Sequence, residues 1–440
     1  MSQRSARIVL GRLPRAVALF LVVGLAAQSR LSAADDFERE PINYSATIPQ
    51  NVVSRLKTEF DLKRAHFDFD PRWGYLRSLL RAFQVPESSQ MLVFSKTSFQ
   101  RQRITPKTPR ALYFNDDVYV GYCADGDVVE ISAVDPILGA VFYTLDQEEL
   151  ERPRIVRQAD SCLLCHANSQ TSGVPGFVLR SVFVDSAGYP LLGSSTFETD
   201  HTSPLKNRWG GWYVTGTLGK QKHLGNLTSV HNRTPEEVDN AAGLNVTSLT
   251  GRFNRSKYLA DSSDVVALMV MEHQTRAHNL ITAANFVTRQ VLASTKGTKI
   301  ATGDSSRVQA AGEQLVKYLL FSGEAGMAEP VRGTTSFAGE FAARGPRDKQ
   351  GRSHRDFDLK RRLFKYPCSY LVYSAAFDAL PSEVKGYVGK RLGEVLSGSD
   401  QSREFAHLSA ADRRAILEIL KETKPDLAAS WKLAAPVAVR

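Results

Sequence analysis

Short apolar runs, separated by polar turns, follow one another along the first third of the chain. Two segments with helical spacing come first, at residues 51–63 and 72–83. Alternation then predicts strands at residues 91–94, 111–114, 118–122, 128–134 and 140–145, and further strands at 177–184, 191–196 and 211–217. Turn-forming residues lie between these strands, as in Asn115-Asp116-Asp117. Because such short connections can join only antiparallel neighbours, the pattern predicts a mainly antiparallel sheet.

The pattern becomes helical near residue 255. Residues 264–294 predict one long helix, with Ser262 or Ser263 as its N-cap. Shorter helices are predicted at residues 306–320, 371–378, 383–396 and 411–422. Residues 323–358 are rich in Gly, Arg and Ser, which is typical of a long loop or linker. We therefore predict an α+β fold, with a sheet-containing domain at residues 35–255 and a mainly helical region at residues 256–440.

The N-terminus has the pattern of a secretory signal peptide. Four arginines precede an apolar run at residues 16–27, and Ser32-Ala33-Ala34 follows it. The run is shorter than the roughly 20 residues that a membrane-spanning helix needs, and no later stretch is long and apolar enough to span a bilayer. We expect residues 1–34 to be removed and the mature chain to be periplasmic or otherwise exported. A retained membrane anchor is the alternative.

The net charge of +10 falls to +5 in the mature chain, because the predicted signal peptide contains five arginines and no acidic residue. The remaining basic residues are spread along the chain and do not alternate with aromatic ones. The sequence therefore does not predict nucleic-acid binding.

Residues 162–166, Cys-Leu-Leu-Cys-His, have the Cys-x-x-Cys-His spacing of covalent haem attachment. Thiols three positions apart can add to the two vinyl groups on one edge of a haem, and the adjacent imidazole can then bind the iron. The motif predicts that Cys162 and Cys165 hold one haem c and that His166 is an axial ligand. Because thioether attachment in bacteria takes place on the exported side, the predicted signal peptide supports this interpretation independently.

In these five residues the chain resembles the c-type cytochromes, and the resemblance implies an electron-transfer protein with a redox partner protein. In that family a methionine some tens of residues later often supplies the second axial ligand. Here the next methionines are Met269, Met271 and Met327, and the residues before them predict strands. The segment at residues 208–216, Arg-Trp-Gly-Gly-Trp-Tyr-Val-Thr-Gly, is similar to secreted haem proteins of environmental bacteria.

The second axial position decides between electron transfer and an open site. His223, His201 and His273 are the candidate ligands, with His223 preferred because glycines at positions 216, 219 and 225 surround it. An open site would instead favour a peroxidase-like haem enzyme or a haem-based sensor or gas-binding module. A structural zinc site and a redox-active dithiol are the other uses of a Cys-x-x-Cys pair.

Cys123 and Cys368 are the two cysteines outside the motif. In an oxidising compartment two such cysteines often pair. A disulfide and two separate buried thiols are both compatible with the sequence.

We expect the exported protein to begin at Asp35, because the small residues before it form the cleavage site. N-terminal sequencing of the protein recovered from the periplasm of a bacterial host measures this directly. A mature chain that still contains residues 16–27 would show that the apolar run is retained as an anchor.

Overall fold

The computed structural model describes residues 36–191, 196–229, 237–295, 301–429 and 431. The predicted signal peptide lies outside these ranges. A sheet in the N-terminal half and a mainly helical C-terminal region confirm the predicted α+β class. The sheet has six antiparallel strands in the same order as in the chain. They are β1 Met91–Val93, β2 Arg110–Phe114, β3 Val118–Cys123, β4 Val128–Asp135, β5 Gly139–Asp146 and β6 Ile155–Gln158.

Side chains in the turns fix the register of this sheet. Asn115 Oδ1 accepts hydrogen bonds from the backbone N–H groups of Asp117 and Val118, at 3.0 and 2.9 Å, and closes the turn between β2 and β3. Asp135 closes the turn between β4 and β5 by accepting from the N–H of Ile137 at 3.1 Å. The five predicted strands of this sheet are confirmed. The pattern misses β6, because four residues are too few to show an alternation.

The two faces of the sheet have different environments. One face packs against the N-terminal segment, which contains the helices α1 Val52–Asp61 and α2 Leu76–Ala82. The side chains of this face are buried, among them Ala111, Tyr113, Val120, Ile131, Val141 and Tyr143. The opposite face contributes Phe114, Tyr119 and Phe142 to a core shared with the C-terminal helices. Several other side chains on that face are only half-buried, among them Arg110, Leu112, Glu130, Ser132 and Thr144.

A second, two-stranded sheet follows, with β7 Arg180–Val182 antiparallel to β8 Thr196–Glu198. β7 lies within the predicted strand at residues 177–184. β8 overlaps the predicted strand at residues 191–196 only at Thr196, and residues 192–195 lie outside the described ranges. The predicted strand at residues 211–217 is wrong. That segment forms only isolated bridges to Val93, Asp264 and Arg332, because the backbone at Trp209 and Gly211 has φ values of 67° and 78° that no regular strand adopts.

Helices make up most of the described C-terminal region. The short helix α3 Leu163–His166 precedes it, and the others are α4 Val265–Thr295, α5 Thr302–Leu319, α6 Phe337–Ala343, α7 Ala375–Asp378, α8 Ser382–Leu396, α9 Ala410–Thr423 and α10 Pro425–Ala429. The predicted long loop at residues 323–358 contains α6. Phe337 and Phe341, one helical turn apart, are buried in the core and anchor α6 there. The predicted helix at residues 371–378 is divided into a 3-10 turn, Tyr370–Tyr373, and α7.

The N-cap of α4 is Asp264, and the prediction of Ser262 or Ser263 is wrong. The Asp264 carboxylate accepts hydrogen bonds from the backbone N–H groups of Val266 and Ala267, at 2.8 and 3.2 Å. Its second oxygen accepts from the N–H groups of Thr334 and Thr335, at 2.8 and 2.9 Å. This one buried carboxylate therefore joins the start of α4 to the segment before α6.

One apolar core includes residues on both sides of position 255. It joins Phe114 and Phe142 of the sheet to Leu268 and Ile281 of α4. The division at residue 255 stays a prediction. Among the described residues, no helix has the length and apolarity needed to cross a membrane.

We expect the substitution Asp264→Ala to lower the free energy of unfolding by about 3 kcal/mol, because it removes an N-cap and leaves buried N–H groups without an acceptor. Denaturant titration followed by circular dichroism measures the change. Asp304→Ala is the control, since Asp304 lies in the first turn of α5 and pairs with the exposed Arg307 at 3.6 Å. A loss of equal size in both variants would contradict the role given to Asp264.

Candidate functional site

The Cys-x-x-Cys-His motif forms the short helix α3 directly after the six-stranded sheet. Cys162 precedes α3 with helical backbone angles, and its carbonyl accepts from the N–H groups of Cys165 and His166, at 3.2 and 3.0 Å. Residues three and four positions apart lie on one side of a helix. The helical turn therefore places both thiols and the imidazole on the same side.

Both thiols of the motif are free. Cys165 is exposed and Cys162 is half-buried. Burial, assisted by the Glu130 carboxylate, raises the pKa of Cys162 to about 11, so this thiol is protonated at neutral pH. A redox-active dithiol instead needs a cysteine with a lowered pKa. The raised pKa of Cys162 therefore gives no support to a redox-active dithiol.

The imidazole of His166 is held in one tautomer. Its Nδ1 lies 3.0 Å from the carbonyl oxygen of Gly176. Because a carbonyl only accepts hydrogen bonds, Nδ1 must carry the proton, and the lone pair is on Nε2. Burial lowers the pKa of His166 to about 4, so the ring is neutral at pH 7. A neutral imidazole whose other nitrogen donates to a carbonyl is the usual form of a metal-binding histidine.

Phe142 and the loop at residues 174–177 position this ring. The rings of Phe142 and His166 lie 4.7 Å apart with an angle of 47° between their planes. The N–H of Gly176 donates to the backbone carbonyl of His166 at 2.8 Å, so the loop is bonded to both the backbone and the side chain of His166. Among the described residues, none forms a hydrogen bond with His166 Nε2, the nitrogen that would bind iron.

The half-buried part of the sheet lies beside this motif. Arg110 and Glu130 form an ion pair there, and both charges act on the Cys162 thiol. Gly121 lies under the Arg110 guanidinium, where a Cβ atom would be only 2.3 Å from Nη2. Leu112 and Leu163 are partly buried against the core. Two thiols, a free imidazole nitrogen and an incompletely covered sheet surface are thus close together, and this donor set fits a covalently attached haem.

His201 and His273 are brought together in the core. Their Nδ1 atoms lie 2.8 Å apart, and His273 Nε2 lies 2.8 Å from Ser369 Oγ. Both nitrogens of His273 are therefore occupied. The His201 ring is stacked against Tyr318 and Phe321, with ring centres 4.1 and 4.7 Å away. These contacts favour a structural role for His273. The buried Nε2 of His201, by contrast, has no hydrogen-bond partner among the described residues, so His201 stays a candidate ligand.

His223, the preferred candidate, is also buried. Its Nδ1 accepts a hydrogen bond from the N–H of Gly225 at 3.0 Å, which leaves the proton on Nε2. This tautomer is opposite to that of His166 and has no free lone pair for iron. The ring packs edge-on against Trp209, 5.3 Å between centres. The structure therefore gives His223 no support as an iron ligand, and the second axial ligand stays a prediction.

The segment at residues 208–216 contributes to the core. The Arg208 guanidinium pairs with Glu272 of α4 at 2.8 Å, and both side chains are buried. Burial raises the pKa of Glu272 to about 7, and Arg208 opposes the rise. Met269, Met271 and Met327 are also buried in this core.

Cys123 and Cys368 are two separate buried free thiols, so the disulfide is not formed.

Sequence reasoning does not find Gly176 and Phe142, although both contact His166. Phe142 is one of several apolar residues that alternate in β5, and Gly176 has the appearance of an ordinary turn glycine. Within the described ranges, no group of three or more His, Cys, Asp or Glu side chains is arranged to hold a metal ion, which gives no support to a structural zinc site.

Comparisons with protein-family models, curated proteins and solved structures found no match to this chain. The functional interpretation therefore depends on the motif and its geometry.

The buried histidines should make the protein less stable in acid. Burial lowers the pKa of His201 from 6.5 to about 3, so below pH 6.5 the unfolded chain binds a proton that the folded chain does not. The stabilisation is complete above pH 6.5 and is lost as the pH falls towards 3. We expect His201→Phe, which retains the stacking, to reduce the slope of unfolding free energy against pH between 6 and 4 by up to about 1.4 kcal/mol per pH unit.

Denaturant titrations at several pH values measure this slope. His66→Phe is the control, since the side chain of His66 is 75% exposed. Parallel curves for wild type and His201→Phe would contradict the expectation.

Proposed function

We propose that this chain is an exported mono-haem c-type cytochrome that transfers electrons. Cys162 and Cys165 hold the haem covalently, and His166 binds the iron through Nε2. The observation that carries the proposal is the hydrogen bond from His166 Nδ1 to the Gly176 carbonyl, inside a Cys-x-x-Cys-His motif. It leaves an unprotonated, neutral imidazole nitrogen on the same side of α3 as two free thiols.

Attachment needs no oxidant or reductant. Each thiol adds across one vinyl group, so that the sulfur bonds to one vinyl carbon and the thiol proton ends on the other. The result is two thioethers with no net transfer of electrons. When bound, the haem supplies a one-electron couple between ferric and ferrous iron.

The surroundings of the motif suit electron transfer at the surface. Cys165, which would bind one vinyl group, is exposed, and its neighbour Leu164 is 82% exposed, so a haem held there would lie partly at the protein surface. Phe142 and the half-buried sheet surface would cover the opposite side and limit contact of the iron with water. We infer that a redox partner protein docks near α3, where the path to the haem is shortest.

The proposed location is the periplasm or another exported compartment, because covalent haem attachment and the predicted signal peptide both require export.

The alternatives, a peroxidase-like enzyme and a gas-binding sensor, need an open axial position. Carbon monoxide added to the ferrous protein separates them: an unchanged spectrum favours electron transfer, and a shifted spectrum favours an open site.

We expect wild-type protein, expressed with the c-haem maturation system, to keep its haem in a denaturing gel and to give the pyridine haemochrome spectrum of haem c. Cys162→Ala combined with Cys165→Ala should lose all covalent haem, because no thioether can form. Each single variant should give a shifted haemochrome band, since one vinyl group remains unsaturated.

The matched control is Cys123→Ala combined with Cys368→Ala, which removes the two buried thiols outside the motif and should retain the haem. A wild-type chain that is exported and folded but carries no covalent haem would overturn the proposed function.

A further inference from the structure

Asn279 of α4 binds both polar groups of the Phe177 backbone. Its Oδ1 accepts from the Phe177 N–H at 2.8 Å, and its Nδ2 donates to the Phe177 carbonyl at 2.7 Å. The side chain of Asn279 is buried, so water does not compete strongly for these bonds. The pair of bonds fixes the loop at residues 174–177 against α4.

The Phe177 N–H belongs to the same peptide group as the Gly176 carbonyl. That carbonyl accepts the hydrogen bond from His166 Nδ1. One planar peptide therefore joins two hydrogen bonds, from Asn279 Oδ1 at one end to the imidazole at the other. Hydrogen bonds in such a chain polarise one another, so the bond to Asn279 makes the Gly176 oxygen a stronger acceptor.

Gly176 is required for this contact. A Cβ atom at this position would lie 2.4 Å from Asn279 Oδ1 and 3.0 Å from the Cβ of Thr171. Any larger residue would push the loop away from α4. Gly176 and Asn279 are therefore both needed to hold the loop in contact with His166.

We propose that Asn279 is a positioning residue that orients His166 and, through the Gly176–Phe177 peptide, increases the electron density on the imidazole that binds the iron. The proposal rests on the proposed function. A stronger acceptor at Nδ1–H gives the ring more imidazolate character, which stabilises ferric iron over ferrous iron. The hydrogen bonds that join Asn279 to His166 through this peptide therefore lower the reduction potential of the haem.

The test compares Asn279→Leu with Asn285→Leu in haem-loaded protein. Asn285 is a buried asparagine of the same helix whose Nδ2 donates to the Ala379 carbonyl at 3.3 Å, away from the motif. We expect Asn279→Leu to raise the midpoint potential by an amount equivalent to about a tenfold change in the ratio of reduced to oxidised protein, ~59 mV for one electron. Asn285→Leu should leave the potential unchanged.

A loss of stability alone would not raise the potential in only one variant, because both variants remove a buried amide. The unfolding midpoints of both variants are measured as well. Hydrogen exchange of the Phe177 amide gives a second readout, independent of the iron. It should be slow in the wild type and in Asn285→Leu, and fast in Asn279→Leu. Equal potentials, equal exchange rates, or the same shift in both leucine variants would overturn the proposal.

A second pair covers the case in which Asn279→Leu does not fold. Asn279→Ala removes both hydrogen bonds to Phe177 without placing a larger side chain against the loop, so the potential should rise, whereas Asn285→Ala should leave it unchanged. An unchanged or lower potential in Asn279→Ala would overturn the proposal. Failure of the proposed function is distinguishable, since a wild-type chain without covalent haem has no midpoint potential to measure.

Discussion

A buried helix with polar side chains must hydrogen-bond those side chains to its neighbours, and α4 does so along most of its length. Gln274 binds the Asn115 carbonyl and the Tyr119 hydroxyl, each at 2.8 Å, and thereby joins the helix to the six-stranded sheet. Asn279 holds the loop beside the motif. Arg289 donates to the carbonyls of Ile137 and Pro41, both at 2.8 Å. Because a buried polar group without a hydrogen bond costs free energy, these bonds favour a single position of α4 relative to the sheet and the loop.

The parts of the fold that local pattern determines were predictable. The strands β2 to β5 alternate clearly and have turn residues such as Asn115 between them, so both their existence and their order follow from the sequence. The N-cap of α4 was not predictable, since Ser262, Ser263 and Asp264 are all good capping residues. The choice of Asp264 depends on Thr334 and Thr335, which no local rule connects to it.

The same distinction applies to the site. The motif from Cys162 to His166 is local, because it consists of five consecutive residues, and it is visible in the sequence alone. The residues that orient His166 come from elsewhere, and the bond between Phe177 and Asn279 joins positions 102 residues apart. The positions of the histidines outside the motif depend on such long-range placement too. His223, the one with most glycines near it in the sequence, has the lone pair of its Nδ1 occupied.

The distance in sequence between the motif and Asn279 implies an order of events as the protein matures. A chain that crosses the membrane from its N-terminus delivers α3 to the exported side well before α4. Under the proposed function, thioether formation would need only the five residues of the motif, whereas the orientation of His166 would also need Asn279. Haem could then be attached to a chain that is still unfolded, and the geometry around His166 would form only after α4 had folded against the loop at residues 174–177.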